Sequence, residues 1–152
     1  MLTREEALAL LKDNVDDEQL LAHSLESEAV MRGLAQKLGR DAELWGLAGL
    51  LHDLDYARTK DTPEKHGLEA ADMLEGKLPP EAVDAVRRHN SMNGHAPESE
   101  FDYALRCGET VTGLVHANAL VRPAGMAGMK PKSLKKKMKD RKSTRLNSSH
   151  YS

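Results

Sequence analysis

The sequence predicts an all-α single domain, a bundle of about six helices, and three observations carry that prediction. Aromatic residues make up only 3% of the chain, so the core must be built from Leu, Ala, Val and Met, which favours packed helices over strands. Apolar residues recur three and four positions apart, and no stretch alternates with period two. Gly39, Gly76 and the Pro79-Pro80 pair stand at the ends of periodic segments, where helices stop and start. At 152 residues the chain has the size of one domain and can bury a core without disulfides.

Taken in order, Leu2 to Leu11 reads as a short helix capped by Thr3, with Glu5 and Glu6 in its first turn. Asp17 to Leu38 reads as a long helix with Leu20, Ser27, Val30, Leu34 and Leu38 as its inward stripe, stopped by Gly39. Asp41 caps a third helix, whose stripe is Leu44, Leu47, Ala48 and Leu51. It ends near His52-Asp53-Leu54. A polar loop, ARTKDTPEKHG, follows. Thr62-Pro63 marks a fourth start, since Pro at the first position lacks only an N–H that would be unpaired there. That helix is expected to reach Glu75 and close at Gly76. Pro79-Pro80 opens a fifth helix, from Glu81 to His89. NSMNGHAPES is a loop by composition, and a sixth helix covers Glu100 to Leu120. Pro123, Gly125 and Gly128 then break the chain, ahead of a basic helix over Lys132 to Lys139.

The formal charge of −2 hides an asymmetry. Residues 1–129 hold 13 of the 22 Lys and Arg and 23 of the 24 Asp and Glu, and residues 130–139 add six lysines. An acidic body with a short basic tail is a poor candidate for wrapping nucleic acid, which needs a basic face. No apolar run is long enough to span a membrane, and MLTREEALALLKDN lacks the apolar core of a signal peptide. A single cysteine, Cys107, excludes an intrachain disulfide and a Cys-rich zinc site. A cytoplasmic setting fits these features, and the oligomeric state is left open.

Three regions are expected: a metal-binding helical domain over 1–129, a basic helix or tail over 130–139, and an extraneous segment over 140–152. DRKSTRLNSSH, Asp140 to His150, matches the translation of a common short-read sequencing adapter. Read-through would put these residues in place of native ones.

The chemistry centres on histidine. His52-Asp53 closes an apolar helix, where a charged Asp is costly unless paired. His23 lies in register with Leu20 and Ser27. His66 shares a helical face with Ala70 and Met73, and His89 follows Ala85 and Val86. Each alone has a plain reading as a hydrogen-bonded core side chain. Together, several helices send a His or His-Asp pair inward, which is how bundles build metal sites. Imidazole with carboxylate suits transition metals (Mn, Fe, Zn, Ni or Co) better than magnesium. His95 reads as solvated, His116 as core packing, and Cys107 as a buried structural thiol.

The strings LLAHSLESEAVMRGLA, ELWGLAGLLHDLDY, KHGLEAADML and VTGLVHANALVRP, over about Asp17 to Leu120, resemble the HD superfamily of metal-dependent phosphohydrolases. The resemblance implies a helical domain in which His23, His52 and Asp53 are three of four metal ligands. The fourth is normally Asp; CGETVTGL puts Glu109 there, one methylene longer. His66 and His89 match histidines of subgroups with two metals, where Asp53 bridges the ions. Asp53 is thereby the expected catalytic residue, as ligand and proton acceptor. The implied reaction is hydrolysis of a nucleotide or other small phosphoester by metal-activated water. Arg58, Lys60 and Lys65, in the loop after the His-Asp pair, are candidates to hold the substrate phosphate. Two other functions stay open: a di-iron oxygenase of the same fold, which His66 and His89 permit, and a degenerate metal-stabilised binding module, which Glu109 permits.

Overall fold

The computed structural model describes the backbone of residues 1–120 and the side chains of residues 1–112. Among the described residues there are seven α-helices, one 3-10 turn and no sheet. By contact the chain divides at Glu109. Unit 1, Met1–Glu109, holds the helical bundle; of unit 2, the described part continues the last helix to Leu120. The expected basic helix over Lys132 to Lys139, the adapter-like segment and the side chain of His116 lie outside the described residues.

Helix α1, Arg4–Asn14, starts with the expected Thr3 cap. The cap is reciprocal: Glu6 N–H donates to Thr3 Oγ1 at 3.1 Å, and Thr3 N–H donates to Glu6 Oε1 at 3.0 Å. Helix α2, Glu18–Leu38, is capped by Asp17 and closed by Gly39 in the left-handed region. Helix α3, Ala42–Leu51, is capped by Asp41 and ends three residues before the expected limit.

Helix α3 is apolar on every side, and every residue from Leu44 to Leu51 is buried, as expected of a central helix. It packs against α2 and α1, and against α6, Pro80–Arg87. The approach to α2 depends on Gly49: a Cβ there would sit 2.6 Å from the Ser27 carbonyl oxygen, well inside contact distance. The inward stripe of α2 consequently differs from the expected one. Ser24, Ser27, Glu28, Met31 and Ala35 are buried, while Leu38 is exposed. The small serines admit α3 closely, and Arg4 and Arg32 neutralise Glu28 at 2.7 and 3.0 Å.

The segment after α3 departs most from expectation. Residues Tyr56–Thr59 form a one-turn helix, α4, in what reads as loop. The single helix expected from Thr62 to Glu75 is broken in two: a 3-10 turn, Pro63–Lys65, and helix α5, Leu68–Leu74. Gly67, at φ +92°, separates them and cannot be helical. His66 therefore does not share a helical face with Ala70 and Met73; it sits on the connection. Helix α7, Glu100–Leu120, begins at a second reciprocal cap. Asp102 N–H donates to Ser99 Oγ at 3.0 Å, and Asp102 Oδ2 accepts from Ser99 N–H and Glu98 N–H. On α7, Phe101 stacks on Trp45 of α3 with centroids 4.9 Å apart. Cys107 is exposed, not buried as expected: its position on α7 points away from the face that buries Phe101, Leu105 and Gly108.

Candidate metal centre

Asp53 is the hub. Its carboxylate is buried, and its two oxygens face different pairs of histidines. Oδ2 lies 3.3 Å from His23 Nε2 and 3.3 Å from His52 Nε2. Oδ1 lies 2.9 Å from His66 Nε2 and 3.6 Å from His89 Nε2. Thus α2, the end of α3, the 63–67 connection and the end of α6 each deliver one imidazole to a single carboxylate. Glu109, from α7, joins the first half: ligand atoms of His23, His52 and Glu109 lie within 4.8 Å of one another, and so do those of His52, Asp53 and His89.

The tautomers follow from the outer partners. His52 Nδ1–H donates to the Gly49 carbonyl at 2.6 Å, and His89 Nδ1–H donates to the Val86 carbonyl at 2.5 Å. His66 Nδ1–H donates to Asp55 Oδ1 at 2.7 Å. With Nδ1 donating outward in each of these rings, Nε2 is the nitrogen turned toward Asp53, the arrangement found around metal-ligating histidines.

That arrangement supplies a test of fit. His52 Nε2 is fully buried and has no hydrogen-bond partner among the described residues, an unusual state for a polar atom unless something else occupies the lone pair. His66 Nε2 and His89 Nε2 stand 3.2 Å apart, so facing lone pairs would repel without a proton or a cation between them. The donor set, imidazole nitrogens and carboxylate oxygens around a shared anion, is that of a divalent transition-metal site.

The electrostatics agree. Burial opposes ionisation of Asp53, but His52, His23, His66 and His89 outweigh it and hold the carboxyl well below its usual range. Burial pushes His52 down to about 4, keeping it neutral. His66 is also desolvated, yet its contacts with Asp53 and Asp55 raise it to about 10. In the metal-free protein a proton on His66 thus serves as the cation that Asp53 demands. His23 is raised, burial being outweighed by Asp53 and, more weakly, by Glu109 and Glu26.

Sequence reasoning passed over two residues that shape the centre. Asp55 is fully buried. Besides holding His66, its Oδ2 accepts from Gly67 N–H at 2.8 Å and Ala70 N–H at 2.9 Å, so it caps α5 from outside the helix. Its contacts with His66 and these backbone groups keep it ionised despite burial. Gly67 is the second. A Cβ there would meet the Val86 carbonyl at 3.0 Å and the His89 ring at 3.2 Å, on top of its positive φ.

The basic residues expected to hold the phosphate lie at the surface. The Arg58 guanidinium donates to Asn14 Oδ1 at 3.2 Å and rests 3.9 Å from the Met73 sulfur. Lys60 and Lys65 are exposed. His95 is exposed, as expected, and its backbone is held by Asn93 and Arg106.

No helix among the described residues is long and apolar enough to cross a membrane. No curated protein and no solved structure matches the chain. A family model, the HD domain, matches residues 20–139, most of the chain and every residue of the centre. On that match, and on the His-Asp geometry that accompanies it, the chain belongs to the HD domain family.

Proposed function

We propose that this protein is a metal-dependent phosphohydrolase with a two-ion centre, acting on a nucleotide or another small phosphoester. The observation that carries the reading is the division of the Asp53 carboxylate between two pairs of histidines. His23, His52 and Glu109 with Asp53 Oδ2 would hold one ion, and His66 and His89 with Asp53 Oδ1 the other. Divalent metal bound there supplies Lewis acidity, acidifying water and drawing charge from phosphoryl oxygens.

The chain's own contribution is placement. Asp53, whose carboxylate is held ionised by its contacts with four imidazoles, would be the anion shared between the two histidine pairs. Asp55 and the carbonyls of Gly49 and Val86 fix which nitrogen each imidazole presents. Glu109 reaches the His23–His52 pair from α7 and takes the fourth-ligand place that Asp fills in the family pattern. Arg58, Lys60 and Lys65 remain the proposed phosphate contacts; Arg58 would first have to leave Asn14. We extend the proposal to chain organisation, with the functional domain over 1–129, a basic tail over 130–139 and read-through beyond, a boundary supported by a family match that ends at residue 139. A cytoplasmic setting belongs to the same reading.

The test is a hydrolysis screen with manganese, nickel or cobalt on p-nitrophenyl phosphate, bis(p-nitrophenyl) phosphate and nucleoside monophosphates. Metal-dependent turnover that chelation abolishes is expected; no turnover with any metal would count against the reading. A second reading, a di-iron oxygenase, is favoured by the full four-histidine set. Stoichiometric iron with oxygen consumption, and no phosphate release, would select it.

A further inference from the structure

His66 lies on the 63–67 connection, away from any helix, whereas His23 sits within α2 and His52 and His89 follow directly on the ends of α3 and α6. His66 ends the 63–65 turn and precedes a glycine at positive φ, so no helical ladder fixes its backbone. Two asparagines from the loop after α6 do so instead. Asn90 Nδ2 donates to the Pro63 carbonyl at 2.7 Å and to the His66 carbonyl at 3.0 Å. Asn93 Nδ2 donates to the same His66 carbonyl at 3.1 Å and to the Arg87 carbonyl at 2.7 Å. The His66 backbone is thereby tied to Arg87 at the end of α6, two residues before His89.

Both amides use their oxygen as well. Asn90 Oδ1 accepts from Met92 N–H at 3.1 Å, and Asn93 Oδ1 accepts from His95 N–H at 3.1 Å. Each side chain closes its own turn with the oxygen and reaches the 63–66 segment with the nitrogen. Aspartate can accept but not donate, and serine is too short to span both. The pattern asks for asparagine at both positions.

We propose that Asn90 and Asn93 are positioning residues that assemble the second half of the centre, holding His66 in register with His89 against Asp53 Oδ1. The proposal rests on the two-ion reading. Its consequence is asymmetric: the first half, His23, His52 and Glu109, lies on α2, at the C-cap of α3 and on α7, away from the 63–66 segment that the asparagines hold. Loss of the clamp should empty one half and leave the other.

The experiment is titration of the purified full chain with Mn(II), counting bound ions by elemental analysis and reading their magnetic coupling by electron paramagnetic resonance. The proteins compared are the parent, Asn93→Asp and Asn90→Asp. Each variant keeps size and the accepting oxygen and removes the donor. The parent should take up two coupled ions. Each variant should keep the first ion at parental affinity and bind the second about 10–100-fold more weakly, the usual cost of losing an outer partner of a metal-ligating His, with the coupling signal lost. Should one variant fail to fold in a thermal melt, the other decides. Variants that bind both ions as the parent does overturn the proposal, as do variants that lose both affinities in parallel, the mark of a purely structural role. A parent that takes up one ion overturns the two-ion reading and this proposal with it, and that failure is visible in the parent alone.

Discussion

Replacing Asp55 by asparagine separates stability from metal binding in a way the structure makes calculable. The carboxylate accepts three hydrogen bonds, from His66 Nδ1–H and the N–H groups of Gly67 and Ala70. In Asp55→Asn the amide oxygen can stay on the two backbone donors. Those bonds change from charge-assisted to neutral, a loss of about 1 kcal/mol each, so about 2 kcal/mol in all. For a domain of this size that lowers the melting temperature by about 5–10 °C. The larger effect falls on His66. The amide nitrogen now faces His66 Nδ1, donor against donor, and the ring relieves this by moving its proton to Nε2. A protonated Nε2 presents no lone pair to the centre, so affinity for the second ion should drop by about 10–100-fold while the first is retained. Differential scanning fluorimetry and manganese titration measure the two effects independently. An Asp55→Asn protein that binds both ions with parental affinity would refute the tautomer argument, whatever its stability.

Three further outcomes are expected. Gly67→Ala forces a Cβ against the Val86 carbonyl and the His89 ring at a positive φ, and should destabilise by about 1–3 kcal/mol with loss of the second ion; thermal melts with and without manganese check this. Glu109→Ala should weaken the first ion and Glu109→Asp retain it, whereas Asp53→Ala should lose both, as metal titration of the three variants would reveal. Glu28 gives a pH test away from the centre. Burial opposes its ionisation, but Arg4 and Arg32 hold its pKa below the ordinary 4.5. A depressed folded pKa means its stabilisation is present above about pH 4.5 and is lost as pH falls through the lower folded value. The acid limb of a melting-temperature profile should therefore flatten in Glu28→Gln relative to the parent.

What the sequence made legible was whatever helical periodicity carries. The caps at Thr3 and Asp41 and the inward placement of His23, His52 and His89 follow from spacing within one element, and the structure has them. Failures came where a side chain serves a distant backbone. Asp55 had a readable signal: it is a second carboxylate two residues after Asp53 in an otherwise apolar run, where burial demands a partner. Its partners, on residues 66 to 70, have no signature of their own. Gly67 was visible as a residue but not as a helix breaker, because KHGLEAADML keeps its periodicity across it and only the packing of His89 shows why glycine is there. Asn90 and Asn93 looked like ordinary loop composition, since asparagine favours turns whether or not it also ties two segments together. The Arg58 partner was likewise out of reach of periodicity: Asn14, which accepts from its guanidinium, lies 44 positions earlier.

The central claim is that one carboxylate, Asp53, is shared between two ions, each with its own pair of histidines. Anomalous diffraction at the manganese edge from crystals of the manganese-loaded protein tests this most directly. The account predicts two peaks flanking Asp53, one beside His23, His52 and Glu109 and one beside His66 and His89. A fully loaded crystal with no peak within bonding distance of Asp53, or with a single peak that leaves His66 and His89 unliganded, would contradict it.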